Sequence, residues 1–91
     1  ALESPTRYVA AELGQKGISV NALSPGPLAT RAASGIASFD EMLEDATERS
    51  PTRRLANIQD IGAYAAFLAS DEARNITGVV HPIDGGYRII A

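Results

Sequence analysis

Apolar positions recur along this chain with two different periods, and the changes of period divide it into elements. Over residues 1–14, Leu2, Val9 and Leu13 stand with several alanines at helical spacing, and Gly14, Lys16 and Gly17 supply a glycine stop. Pro5 fits such a helix only in its first turn, where the amide it lacks would have no partner in any case. Residues 18–23 form a short apolar run, too uniformly apolar for a one-sided edge strand and so in need of neighbours on both sides. A helical pattern returns with Met42 and Leu43 and runs to Glu48. Ser38 or Asp40 is its expected cap, and Glu41, three residues after Ser38, completes a capping box. The acidic residues Asp40, Glu41, Glu44, Asp45 and Glu48 read as its solvated face.

Pro51 then breaks the chain, and Asn57 is the expected cap of a third helix over residues 58–69, with Asp60 favouring its positive end. Ile61, Tyr64, Ala65, Phe67 and Leu68 give that helix a wide apolar face. Residues 70–73 read as a capped single turn, and residues 79–83 as a second strand in which Pro82 implies an edge or a bulge. Asp84-Gly85-Gly86 ends it in a tight glycine turn, and residues 87–91 form a short apolar tail. Two strands separated by helices predict a right-handed parallel crossover, the repeating unit of a doubly wound α/β sheet. A parallel pair cannot stand alone, so more strands are expected beside it.

Composition narrows the class. Ninety-one residues make at most one domain, burying only about 60 to 65% of its unfolded surface. With 45% hydrophobic, 21% charged and 5% aromatic residues, the expected interior is an α/β core packed with alanine. A net charge of −3 argues against nucleic acid and anionic membrane surfaces as partners. The absence of cysteine excludes disulfides and thiolate metal sites and fits a reducing compartment. No apolar run approaches membrane-span length and the first residues carry no secretory pattern, so the expected location is cytoplasmic, with no membrane partner. His81, the only histidine, lacks the partners of a metal site and reads as a strand surface residue. Tyr8 and Tyr64 stand on helical apolar patterns and read as packing residues. Arg53 and Arg54 read as solvated cations or partners of the preceding carboxylates ahead of phosphate ligands.

The candidate chemistry is concentrated between Asn21 and Thr30. An apolar run ends in Ser24-Pro25-Gly26-Pro27, and Thr30 follows four residues after the glycine. Proline cannot continue a ladder and Pro27 biases Gly26 away from helix, so the chain should leave the sheet extended. In an open α/β sheet, ligands sit in the crevice at the carboxyl ends of the strands. Gly26 would let a flat or charged ligand approach the backbone, and Thr30 would offer a hydroxyl near free amides. The same residues also read as a strand-terminating turn followed by a helix-capping threonine.

Asn21, Ser24-Pro25-Gly26 and Thr30, with Ile76-Thr77-Gly78 and Ile83-Asp84-Gly85-Gly86 about fifty residues on, resemble the closing third of a short-chain dehydrogenase/reductase. Within that superfamily, four stretches resemble the bacterial NADH-dependent enoyl-acyl-carrier-protein reductases: Pro25-Gly26-Pro27-Leu28, the run Thr30-Arg31-Ala32-Ala33-Ser34-Gly35-Ile36, the run from Ala65 to Asp71, and Gly85-Gly86-Tyr87. The likeness covers essentially the whole chain and implies the C-terminal part of a Rossmann-like doubly wound parallel sheet, with two strands and about three helices present. Residues 1–91 would be a portion of one reductase domain, with a substrate-binding loop at about 28–38.

Such enzymes reduce the trans-2 double bond of an acyl chain on acyl carrier protein in fatty-acid biosynthesis, taking hydride from NADH. The resemblance implies that Ser24, Pro25, Gly26 and Pro27 wall the nicotinamide-ribose pocket and that the backbone of Leu28 meets the nicotinamide carboxamide. It places Ala29, Thr30, Arg31 and Ala32 near the cofactor pyrophosphate, and Ala32, Ala33 and Ile36 along the acyl chain. No catalytic residue is expected here, because the family's tyrosine and lysine precede the position of Ala1; the chain alone should be inactive. A homotetramer is implied for the full-length parent. Ala37, Asp40 and Glu41 stand where some members carry basic residues able to receive an acidic carrier protein. Two alternatives stay open: a fragment of a 3-oxoacyl thioester ketoreductase, or a stand-alone, non-catalytic module for self-association or partner binding.

Overall fold

The computed structural model describes residues 2–28 and 37–90. In chain order these form α1 (Glu3–Gly14), β1 (Ala22–Ser24), α2 (Ala37–Arg49), α3 (Ile58–Leu68) and β2 (Val80–Pro82), with single 3-10 turns at Asp71–Ala73 and Tyr87–Ile89. The two strands are neighbours in one sheet. The Gly78 amide donates to the Val20 carbonyl at 2.7 Å and the Ala22 amide to the Val79 carbonyl at 3.0 Å. Partner positions therefore rise together along both segments, which makes the pair parallel, as the pattern predicted. The chain divides into two compact units, one of residues up to Ser24 with Gly62–His81, the other of Pro25–Ile61 with Pro82 onward.

In the first unit, Pro5 sits in the first turn of α1, the position it tolerates. The Glu3 carboxyl in that turn lies below its ordinary pKa, chiefly through a hydrogen bond to its own backbone. The helix buries Thr6 and Ala10, not the larger residues that the spacing favoured. Leu2 is 54% exposed and Tyr8 70%, so the packing role expected of Tyr8 is not found. The reason is close approach: a Cβ built on Gly78 would lie 3.5 Å from the Ala10 methyl, leaving no room for a large side chain between. The helix ends as expected on its glycines, with the Ile18 amide reaching back to the Leu13 carbonyl at 3.2 Å. Ahead of β1, side chains replace ladder bonds. The Val20 amide donates to Thr77 Oγ1 at 2.9 Å and Asn21 Nδ2 to the Ile76 carbonyl at 3.0 Å. Strand geometry consequently begins at Ala22 and not at Ile18.

In the second unit, α2 already contains Ser38 and Asp40, so neither caps it and the expected capping box with Glu41 does not form. Its inward row runs through half-buried Phe39 and Leu43 to buried Ala46 and Ser50, starting upstream of the Met42 at which the sequence pattern placed it. That row holds the chain helical past the local capping preference of Ser38. All five acidic residues of the opposite face are exposed, and Asp45 meets Arg49 at 3.5 Å. Ser50 is wholly buried and its hydroxyl donates to the Arg54 carbonyl at 3.1 Å. Arg53, with φ of 57°, folds its guanidinium back to the Ser50 carbonyl at 2.7 Å. That arginine therefore caps the end of a helix.

Asn57 caps α3 as predicted, and the bond is reciprocal: the Asp60 amide donates to Asn57 Oδ1 at 2.8 Å and the Asn57 amide to Asp60 Oδ2 at 3.0 Å. The expected apolar face is only half covered. Ile61, Tyr64 and Leu68 are half-buried, whereas Ala65 and Phe67 are exposed and no residue of the helix is buried. Ser70 does not cap the following turn with its side chain; its hydroxyl donates to the Phe67 carbonyl at 2.6 Å. The buried apolar residues described are all alanines, Ala10, Ala46, Ala56 and Ala73, in line with the alanine-packed interior expected from composition. No helix among the described residues is long and apolar enough to cross a membrane.

Candidate functional site

The stretch expected to carry the chemistry follows β1 directly, with Ser24 exposed at the strand's last position. Within the second unit, Pro25 and Pro27 are half-buried and Gly26 is exposed. Gly26 has φ of 67°, so the chain does not leave the strand extended as predicted. A left-handed turn satisfies the restriction imposed by Pro27, and only a residue without Cβ adopts it at no cost. A Cβ on Gly26 would stand 3.1 Å from Asp84 Cβ. The glycine is therefore required by the protein's own packing as well as by any ligand that comes against its exposed side.

Asp84 is 8% exposed, and each carboxylate oxygen is used. Oδ1 accepts from the Gly86 amide at 3.0 Å and Oδ2 from the Arg88 amide at 2.9 Å. Two residues after Gly26, Leu28 forms a parallel bridge with buried Ala56, immediately ahead of the Asn57 cap. The turn is thus backed at Gly26 and tied at Leu28. Ala29, Thr30, Arg31, Ala32, Ala33 and Ile36, and with them most of the expected loop at 28–38, lie outside the described residues, and the last two residues of that span, Ala37 and Ser38, belong to α2.

The first unit holds a polar chain that sequence reasoning missed. Tyr64 Oη lies 2.8 Å from His81 Nδ1, and His81 Nε2 lies 3.0 Å from Asn21 Oδ1. Because Asn21 Nδ2 already donates to a backbone carbonyl, its Oδ1 must face the ring, which puts the histidine proton on Nε2 and leaves Nδ1 to accept from the tyrosine hydroxyl. His81 is consequently a half-buried linker and not the strand surface residue expected. Asn21 and His81 are 60 residues apart, so no local spacing could have announced the contact. Among the described residues no group of three or more His, Cys, Asp or Glu side chains is placed to hold a metal ion.

A family described as "Enoyl-(Acyl carrier protein) reductase" matches residues 1–88. The chain belongs to that family. Enoyl-acyl-carrier-protein reductase (NADH) FabI of Haemophilus influenzae is 48% identical over 91 residues, covering 100% of this chain and 35% of that protein. Enoyl-acyl-carrier-protein reductase (NADH) 2 of Rhizobium meliloti is 46% identical over 89 residues, covering 98% of this chain and 33% of its own length. Among solved structures, the Bacillus cereus enoyl-acyl carrier protein reductase with NADP+ and indole naphthyridinone superposes with a TM-score of 0.87 at 43% identity, over 99% of this chain and 35% of that one. The chain therefore spans about a third of the length of the reductases it matches, and its two-stranded α/β arrangement is part of their fold.

Proposed function

We propose that these residues are the C-terminal portion of a single reductase domain, in an enzyme that reduces trans-2-enoyl thioesters with NADH in fatty-acid biosynthesis. The observation that carries the reading is the Pro25–Leu28 turn, left-handed at Gly26 and seated on Asp84, in a chain about 45% identical from end to end to NADH-dependent reductases. The exposed side of Gly26 fits the wall of a pocket for a flat ring. When bound, NADH supplies the hydride. Ser24, Pro25, Gly26 and Pro27 form the wall at the nicotinamide ribose, and the Leu28 backbone orients the carboxamide. Ala29, Thr30, Arg31 and Ala32 border the pyrophosphate. Ala32, Ala33 and Ile36 leave a channel for the acyl tail, and small apolar side chains there would help keep water from the reacting carbon.

No residue of this chain is assigned to catalysis. The substrate partner is an enoyl thioester on acyl carrier protein, the assembly a homotetramer and the location the cytoplasm. Exposure of Ile58, Phe67 and Val79 fits elements that pack against further strands and helices. The test is turnover by the full-length gene product. It should oxidise NADH with a crotonyl thioester, and the 91 residues alone should not. A product that instead reduces 3-oxoacyl thioesters with NADPH overturns the assignment in favour of a ketoreductase; a 3-oxoacyl-acyl-carrier-protein reductase from Brucella melitensis is a neighbour at 33% identity and a TM-score of 0.83. A defined oligomer of the 91 residues that folds fully and functions without NADH would favour a binding module.

A further inference from the structure

We infer that Asp84 is a positioning residue for the cofactor wall: acting through Gly26, it sets where the Pro25–Leu28 backbone stands and hence how tightly a nicotinamide nucleotide is held. The inference rests on the function proposed above. A buried carboxylate is costly unless both oxygens are satisfied, and here each accepts one backbone amide, from Gly86 at 3.0 Å and from Arg88 at 2.9 Å. Those two bonds fix both side-chain torsions, so the Asp84 Cβ is a rigid point. The turn that carries it is itself fastened, since the Thr52 amide donates to the Gly85 carbonyl at 3.1 Å.

Gly26 faces that rigid point: a Cβ built on it would stand 3.1 Å from Asp84 Cβ and 4.0 Å from Oδ2, so the aspartate side chain occupies the place toward which a substituent at residue 26 would project and limits how far the chain can move that way. Two residues on, the bridge between Leu28 and Ala56 ties the chain again. A backbone pinned at both ends of a three-residue turn is pre-organised, and pocket walls of this kind lose affinity when displaced by a fraction of an ångström. A side chain that only capped the 3-10 turn at Tyr87–Ile89 would not need to touch Gly26 at all.

The test uses the full-length enzyme and steady-state kinetics at saturating crotonyl thioester. Asp84→Ala and Gly26→Ala should each raise KM for NADH about tenfold or more while kcat changes less than about threefold, the pattern of lost ground-state and transition-state binding together. Asp84→Asn should fall between them and wild type, because the amide keeps the volume and one acceptor but turns a donor toward the second N–H. Thr47→Ala removes a half-buried hydroxyl that donates to the Leu43 carbonyl within α2, touching neither Gly26 nor the Asp84 turn, and should leave KM unchanged. If Asp84→Ala fails to fold, Asp84→Asn and Gly26→Ala decide the matter. Unmoved KM values in an active wild-type background, or an equal rise in Thr47→Ala, overturn this inference alone. A wild type that does not oxidise NADH overturns the functional reading and this inference with it.

Discussion

Gly85→Ala should destabilise the protein by roughly 2 to 5 kcal/mol, whereas Gly62→Ala should stabilise it by about 1 kcal/mol. Gly85 has φ of 64°, and a side chain held in that region costs roughly 1 to 2 kcal/mol. Its new Cβ would also stand 2.7 Å from the Arg54 carbonyl oxygen and collide with the Thr52 hydroxyl. Neither neighbour yields cheaply. The Arg54 carbonyl accepts from Ser50 Oγ and Thr52 Oγ1, and the Thr52 amide is bonded to Gly85 itself. Relieving such an overlap typically adds about 1 to 3 kcal/mol. Gly62 lies inside α3 with nothing within 4 Å of an added Cβ, so alanine there contributes only its better helix propensity. Urea unfolding followed by far-UV circular dichroism would measure both. Within a domain of the length of its relatives each kcal/mol moves Tm by only about 2 to 4 °C, but the two variants should still diverge in opposite directions. A Gly85→Ala protein within about 1 kcal/mol of wild type, or a Gly62→Ala protein less stable than wild type, would refute the geometry assigned to the turn or to the open side of α3.

Asn57→Ala should cost about 1 kcal/mol in the same assay, and adding Asp60→Ala should cost less than the two single losses together, because each side chain serves the other's amide. Tyr64→Phe should cost about 0.5 to 1.5 kcal/mol, the ordinary worth of one hydrogen bond. Nitrogen chemical shifts of His81 should show the proton on Nε2 in wild type; a proton found on Nδ1 would contradict the orientation of Asn21. Asp45→Ala should change stability by less than about 0.5 kcal/mol, since both partners of its ion pair with Arg49 are more than half exposed.

Where a residue's role is set by its own backbone, the sequence was a good guide. Pro5, Gly17, Asn57 and the Asp84-Gly85-Gly86 turn all sit where their local chemistry puts them, because capping and positive φ are decided within a few residues. Where a distant partner decides, the reading failed. Ser38 looks like a cap but is overruled by the inward row from Phe39 to Ser50, and Leu2 and Tyr8 lose the inner face of α1 to Thr6 and Ala10 because Gly78 approaches so closely. The candidate site divides the same way. A break in the strand at Pro25-Gly26-Pro27 was legible from the prolines, but the extended exit expected there is replaced by a left-handed turn packed on Asp84, and the setting of His81 depends on Asn21 and Tyr64.

The contact between Gly26 and Asp84 also bears on biosynthesis. The early segment cannot acquire its backing until the late one has been made, and a ribosome adding roughly 5 to 20 residues per second needs several seconds to travel between them. Through that interval the turn at Pro25–Leu28 has nothing behind it. A polypeptide released with its last translated residue at Ile83 would keep the residues of α1, α2 and α3 yet lack the aspartate altogether, so premature termination near this point should yield a product whose Pro25–Leu28 turn is never backed.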